Sequence, residues 1–83
     1  EAEQVMKNLQ AILHAAGAGF HHVVKTTIFL SDMSLFGAVN EVYGEHFKHA
    51  AEHSTINFPA RETIAVKGLP KNVNVEISMI AAL

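Results

Sequence analysis

The chain has 83 residues, 49% of them hydrophobic and 17% charged, with a net charge of −2 and no cysteine. That length suits one small domain burying about 60–65% of the surface its unfolded chain exposes, and the composition excludes disulfides, thiolate nucleophiles and cysteine metal ligands. The lysines are scattered, so no basic face for nucleic acid is expected; no apolar run reaches the roughly 18–20 residues that span a bilayer, and no signal-peptide pattern is present.

The chain opens on Glu1, already in helical pattern. Val5, Leu9, Ile12 and Leu13, joined by Ala2 and Ala16, form an apolar stripe that predicts a helix over 2–16. Glu1 and Glu3 suit the positive end of that helix, and Gly17 its C-terminal cap. The helix brings no N-cap of its own, so an upstream segment is expected. Val23 to Leu30, rich in β-branched and aromatic residues, predicts a strand. Val24, Thr26, Ile28 and Leu30 are expected on one side and Val23, Lys25, Thr27 and Phe29 on the other, as in an inner strand covered on both faces.

Asp32 or Ser34 can cap a second helix, predicted over 35–47 from Leu35 or Phe36, Val39, Val42 or Tyr43, and His46 or Phe47. Gly37 and Gly44 weaken it, by about 1 kcal/mol each, and leave space for a close neighbour. Asn40 has no local role in mid-helix, so a partner elsewhere is expected. Residues 48–56 read either as one more helical turn at Ala50-Ala51-Glu52 or as a loop. Two strands close the chain, Glu62 to Lys67 and Val73 to about Ala81, joined by the turn cluster Gly68–Asn72. The order α-β-α-β-β predicts an α+β fold, a sheet with two helices on one face.

Phe58-Pro59-Ala60-Arg61 stands at the entry to the fourth element. Pro59 stiffens that junction and biases Phe58 to extended backbone. Arg61 there suits two parallel hydrogen bonds to a carboxylate or phosphate; on composition alone it reads as a solvated surface arginine. His46, His49 and His53, spaced by three and seven, would share a helical face, but no carboxylate aligns with them and no metal is expected. His14, His21 and His22 read as solvent-edge residues.

Val24-Lys25-Thr26-Thr27, Asp32-Met33, Phe36, Val39-Asn40-Glu41-Val42-Tyr43, Phe58-Pro59-Ala60-Arg61, Leu69-Pro70-Lys71 and Val75-Glu76-Ile77 occur in this order. This pattern, spanning essentially the whole chain, resembles the Rid family, also called YjgF or endoribonuclease L-PSP. The resemblance implies a chorismate-mutase-like α+β fold over residues 1–83, a homotrimer with ligand sites between subunits, and no cofactor. It implies hydrolysis of enamines and imines such as 2-aminoacrylate and 2-iminopropionate to 2-keto acids and ammonia. By the same resemblance Arg61 binds the substrate carboxylate, Glu76 positions or activates the attacking water, and Asn40 lines the cleft. Thr63 stands at a position that is often cysteine. Read without the family, Glu76 is a solvent-facing strand residue paired with Lys67 across a hairpin, Asn40 a structural amide and Thr63 a plain strand residue.

Three departures from the family pattern stand out. The N-terminal portion is missing, with its first strands, a Gly-Pro-Tyr segment and a Ser-Gly-Gln segment. Residues 48–57 form a longer connection than usual, and Ser78 stands where many members have a second glutamate. Two alternatives to the deaminase therefore remain, a trimer that binds keto acids without turnover and a ribonuclease or translation inhibitor. The expected location is the cytoplasm, with the mitochondrion as the alternative.

Overall fold

The structure, a computed structural model, describes residues 1–52 and 58–83. Helix α1 covers Ala2–Ala15. Met6 and Leu13 are buried, with Val5, Leu9 and Ala2 partly covered, whereas Ile12 is 66% exposed. The buried stripe thus keeps the expected Ala2, Val5, Leu9 and Leu13, takes in Met6 and leaves out Ile12. The helix ends in a left-handed turn at Gly17 (φ 76°), where Gly17 N–H donates to His14 O at 3.0 Å and Ala18 N–H to Leu13 O at 2.7 Å. This paired arrangement satisfies two otherwise orphaned carbonyls and favours glycine at the turn. A 3-10 turn at Phe20–His22 follows; Gly19 N–H donates to His22 Nδ1 at 3.1 Å.

Strand β1, Val23–Leu30, pairs with both other strands. A bulge between Val23 and Lys25 exchanges the first two side chains, so Val23 is buried and Val24 is 51% exposed. From Thr26 onward the expected alternation holds: Thr26, Ile28 and Leu30 are buried, while Lys25, Thr27 and Phe29 lie on a face that no described element covers. The strand is inner, as expected, but covered on one side only among the described residues.

Asp32 accepts Ser34 N–H at 2.8 Å, capping a 3-10 turn that leads into α2, Phe36–Glu52. That bond holds the Asp32 carboxyl below its usual range. The helix takes the longer of the two expected courses, running five residues beyond 47; His53 to Asn57 of the expected long connection lie outside the described residues. Its buried stripe is Val39, Tyr43 and Phe47, set among Phe20 and Phe58 with ring centroids 4.7–6.1 Å apart. Among the described residues a Cβ on Gly37 or Gly44 would meet nothing within 4 Å, so no described neighbour uses the space they leave.

Strand β2, Ala60–Ala65, starts two residues before the expected bound and runs parallel to β1; β3, Val75–Ala81, is antiparallel to it. The sheet order is β2-β1-β3. β2 and β3 therefore do not form the expected hairpin, because β1 lies between them and the α2 crossover makes β1-α2-β2 a parallel unit. The intervening Gly68–Asn72 segment holds a 3-10 turn at Pro70–Asn72, with φ 58° at Lys71 and 54° at Asn72. The Glu1 carboxylate accepts Asn74 N–H at 2.7 Å, Val75 N–H at 3.1 Å and Asn74 Nδ2 at 3.1 Å, joining α1 to the start of β3. The Asn74 backbone bond leads in holding that carboxyl below its usual value. No described helix is long and apolar enough to cross a membrane.

Candidate active site

Strand alternation and register fix the two sides of the sheet. Arg61 and Thr63 of β2 stand beside Thr26 and Ile28 of β1, on the face that carries the helices. Asn40 reaches the same place from α2, and all three line one recess with Ile28, Phe36 and Val39. The recess is too narrow for a water molecule. On the other side of Arg61 a cleft of about 340 Å³ opens between Asn40, Tyr43, Gly44, Phe58 and Pro59.

Arg61 Nη1 donates to Asn40 Oδ1, which gives the mid-helix amide the partner its position calls for. The guanidinium carbon lies 5.6 Å from the Phe36 ring centroid and 5.3 Å from that of Tyr43, within cation–π range. Among the described residues no carboxylate pairs with Arg61. An exposed planar fork with one N–H given to an amide suits a carboxylate arriving from the cleft. Thr63 Oγ1 is buried without a hydrogen-bond partner among the described residues, a condition that costs about 1–3 kcal/mol.

Tyr43 is 5% exposed, and its hydroxyl donates to Thr26 Oγ1 at 3.1 Å. Burial raises its pKa above 10.0, offset in part by the Thr26 hydrogen bond and the Arg61 charge. Phe36, Asn40 and Tyr43 follow one another at offsets of four and three, so one stripe of α2 surrounds the guanidinium. In the sequence Phe36 and Tyr43 read as residues of a core stripe and Asn40 as an amide in need of a partner elsewhere.

Glu76 lies elsewhere. It stands opposite Phe29 on β1, exposed on the open face with Ser78 and Ile80. Phe29, and not Lys67, is its cross-strand neighbour. Arg61, Asn40 and Thr63 are brought together, and Glu76 is on the far side of the sheet from them. Nearby on the open face Glu62 accepts Thr27 Oγ1–H at 3.1 Å and pairs with Lys25 Nζ at 3.7 Å.

His46 Nε2 lies 3.0 Å from Glu3 Oε1, linking α2 to α1, and His49 lines the adjoining cleft with Glu45 and Gln10. Among the described residues no group of three or more His, Asp or Glu side chains is placed to hold a metal. His53 lies outside the described residues.

The family model for endoribonuclease L-PSP matches residues 1–83. A human protein named 2-iminobutanoate/2-iminopropanoate deaminase is 46% identical over 81 residues, which are 98% of this chain and 54% of that protein. A Rid-family protein of unknown function from Yersinia pestis superposes with a TM-score of 0.89 at 40% identity, covering all of this chain and 61% of that one. The structure of E. coli TdcF with bound serine gives 0.83 at 34% identity, over 99% and 61%. The chain thus spans little more than half the length of these relatives. Its fold is theirs, α+β with two helices and a three-stranded mixed sheet. With the whole chain matched and the fold shared, the protein belongs to the endoribonuclease L-PSP family, the Rid proteins.

Proposed function

We propose that the protein is an enamine and imine deaminase that converts 2-iminopropionate-type compounds to 2-keto acids and ammonia. The observation that carries this reading is Arg61, exposed at a 340 Å³ cleft and oriented by Asn40 and two aromatic rings. The substrate carboxylate takes the guanidinium fork, which fixes the imine carbon relative to the protein. Glu76 holds a water and removes its proton as the oxygen attacks that carbon. That proton passes to the imine nitrogen to give the carbinolamine, whose hydroxyl proton then moves to the same nitrogen as the C–N bond breaks and ammonia leaves. Water supplies the oxygen of the keto acid, and neither metal nor covalent nucleophile takes part.

Because Arg61 and Glu76 face opposite sides of the sheet, one copy cannot present both to the same ligand. This separation supports a site between copies, with the helix side of one supplying Arg61 and the open face of another supplying Glu76. A homotrimer in the cytoplasm is the assembly and location that go with this reading. The names of the human deaminase and of the serine-bound relative, an α-amino carboxylate complex, support the substrate class.

The test is ammonia and pyruvate release from freshly generated 2-aminoacrylate, beside the Arg61→Lys variant. Release above the spontaneous rate, lost in the variant, is expected. Pyruvate binding without any release would favour the second reading, a keto-acid binding protein, for which the separation of Glu76 from Arg61 speaks. Neither binding nor release would remove both readings.

A further inference from the structure

We propose that Tyr43 is the positioning residue of the Arg61 anchor, acting through the face of its ring, with Phe36 as a second wall. An exposed arginine samples many rotamers, and ordering it opposes ligand binding. Here two ring centroids lie 5.3 and 5.6 Å from the guanidinium carbon, so the charge is attracted to one place before any ligand arrives. A ring can hold another group only if it is itself held. Tyr43 is buried, its ring centroid is 4.7 Å from that of Phe47, and its hydroxyl is bound to Thr26, whose side chain is fully buried. Thr26 is also the residue beside Arg61 across β1 and β2. The hydroxyl bond therefore ties the Tyr43 ring to the sheet row in which Arg61 stands, and α2 and β2 are fixed relative to each other at the anchor.

Asn40 sets the direction of one N–H, and the rings set the plane and depth of the fork. Tyr43 reaches the ligand only through Arg61. The inference rests on the proposed function in one respect, that the ligand's carboxylate takes Arg61; the ring geometry does not depend on it.

The experiment uses the intact protein with Tyr43→Leu, Tyr43→Phe and Phe36→Leu. Arg61 side-chain proton signals are recorded without ligand, then the pyruvate Kd, and KM and kcat on 2-iminopropionate. Ring currents should shift the Arg61 signals upfield in the parent and in Tyr43→Phe, and roughly half of that shift should be lost in Tyr43→Leu, where only the Phe36 ring remains. Kd and KM should rise roughly 2- to 5-fold in Tyr43→Leu with kcat unchanged, and Tyr43→Phe should recover most of the loss. Phe36→Leu, at a half-buried position, carries the same test if Tyr43→Leu does not fold, and the same rise is expected there. Unshifted Arg61 signals in the parent would overturn the inference, as would a fall in kcat at constant KM. Shifted signals in a parent that binds no pyruvate would support the bracket and defeat the proposed function instead.

Discussion

The two faces of the sheet are built from the same three strands and do different work. The helix face carries Thr26, Ile28, Leu30, Val75 and Ile77, all buried beneath α1 and α2, and at its β2 edge it holds Arg61. The open face carries Phe29, Glu62, Glu76, Ser78 and Ile80, with Ile80 60% and Ile64 42% exposed. One face is a finished core that positions an anchor. The other holds a candidate base amid apolar side chains that a single copy leaves in water. On the proposed reading, stability and the Arg61 half of the site come from one side, and the Glu76 half comes from the side that a second copy would cover.

Substitutions on each face should therefore fail in different ways. On the helix face the largest effect is expected from Phe47→Ala, which empties the centre of the aromatic cluster. It should cost about 3–5 kcal/mol, read as a lowered urea midpoint. A loss under 1 kcal/mol would mean that α2 is not held by this core. On the open face Glu76→Gln should leave that midpoint and pyruvate binding alone while slowing turnover by about 10²-fold or more. A variant as fast as the parent would assign the water to another group. Arg61→Lys gives up the bidentate fork, and pyruvate affinity should fall about 10- to 100-fold with the fold intact. Unchanged affinity would take Arg61 out of the site.

The smallest effect belongs to Tyr43. Burial raises its pKa above 10.0, so the folded protein keeps the phenol proton that the unfolded chain loses. Its contribution is fully present below pH 10 and is lost as pH rises through the raised value. Tyr43→Phe should flatten that part of the alkaline stability curve. An equally steep curve in the variant would trace the loss to other groups.

Much of the helix face was legible in the sequence. The period-2 pattern of β1 from Thr26, the stripe Val39-Tyr43-Phe47 and the glycine that ends α1 depend on local spacing, and local spacing is what a sequence displays. Where the reading missed, one residue decided. In α1 a stripe through Val5 and Leu9 passes as well through Met6 as through Ile12, and only packing against the sheet selects Met6. At the start of β1 the bulge moves Val23 inward and Val24 outward, which no alternation rule foresees. Two short strands joined by Gly-Leu-Pro-Lys-Asn read as a hairpin, yet both pair with β1, because strand period says nothing of strand partner. The candidate site divides in the same way. Arg61 and Asn40 stood out by their positions as well as by the family resemblance, Thr63 by the resemblance alone, and in the structure the three line one recess. The role of Tyr43 was hidden, because a buried aromatic at helical spacing looks the same whether or not a cation lies on its face. The separation of Glu76 from Arg61 depends on the register in which β2 and β3 each pair with β1, which the sequence does not carry.

Mixing two inactive variants tests most directly whether anchor and base meet between copies. Arg61→Lys and Glu76→Gln proteins are each assayed alone for 2-iminopropionate hydrolysis, then unfolded together in equal amounts, refolded and assayed again. In mixed assemblies some clefts pair an intact Arg61 from one copy with an intact Glu76 from another. Random assembly should then restore about one quarter of the parental rate. A mixture as inactive as its two components, with assembly intact, would contradict the account and place both residues' work, or neither's, within a single copy.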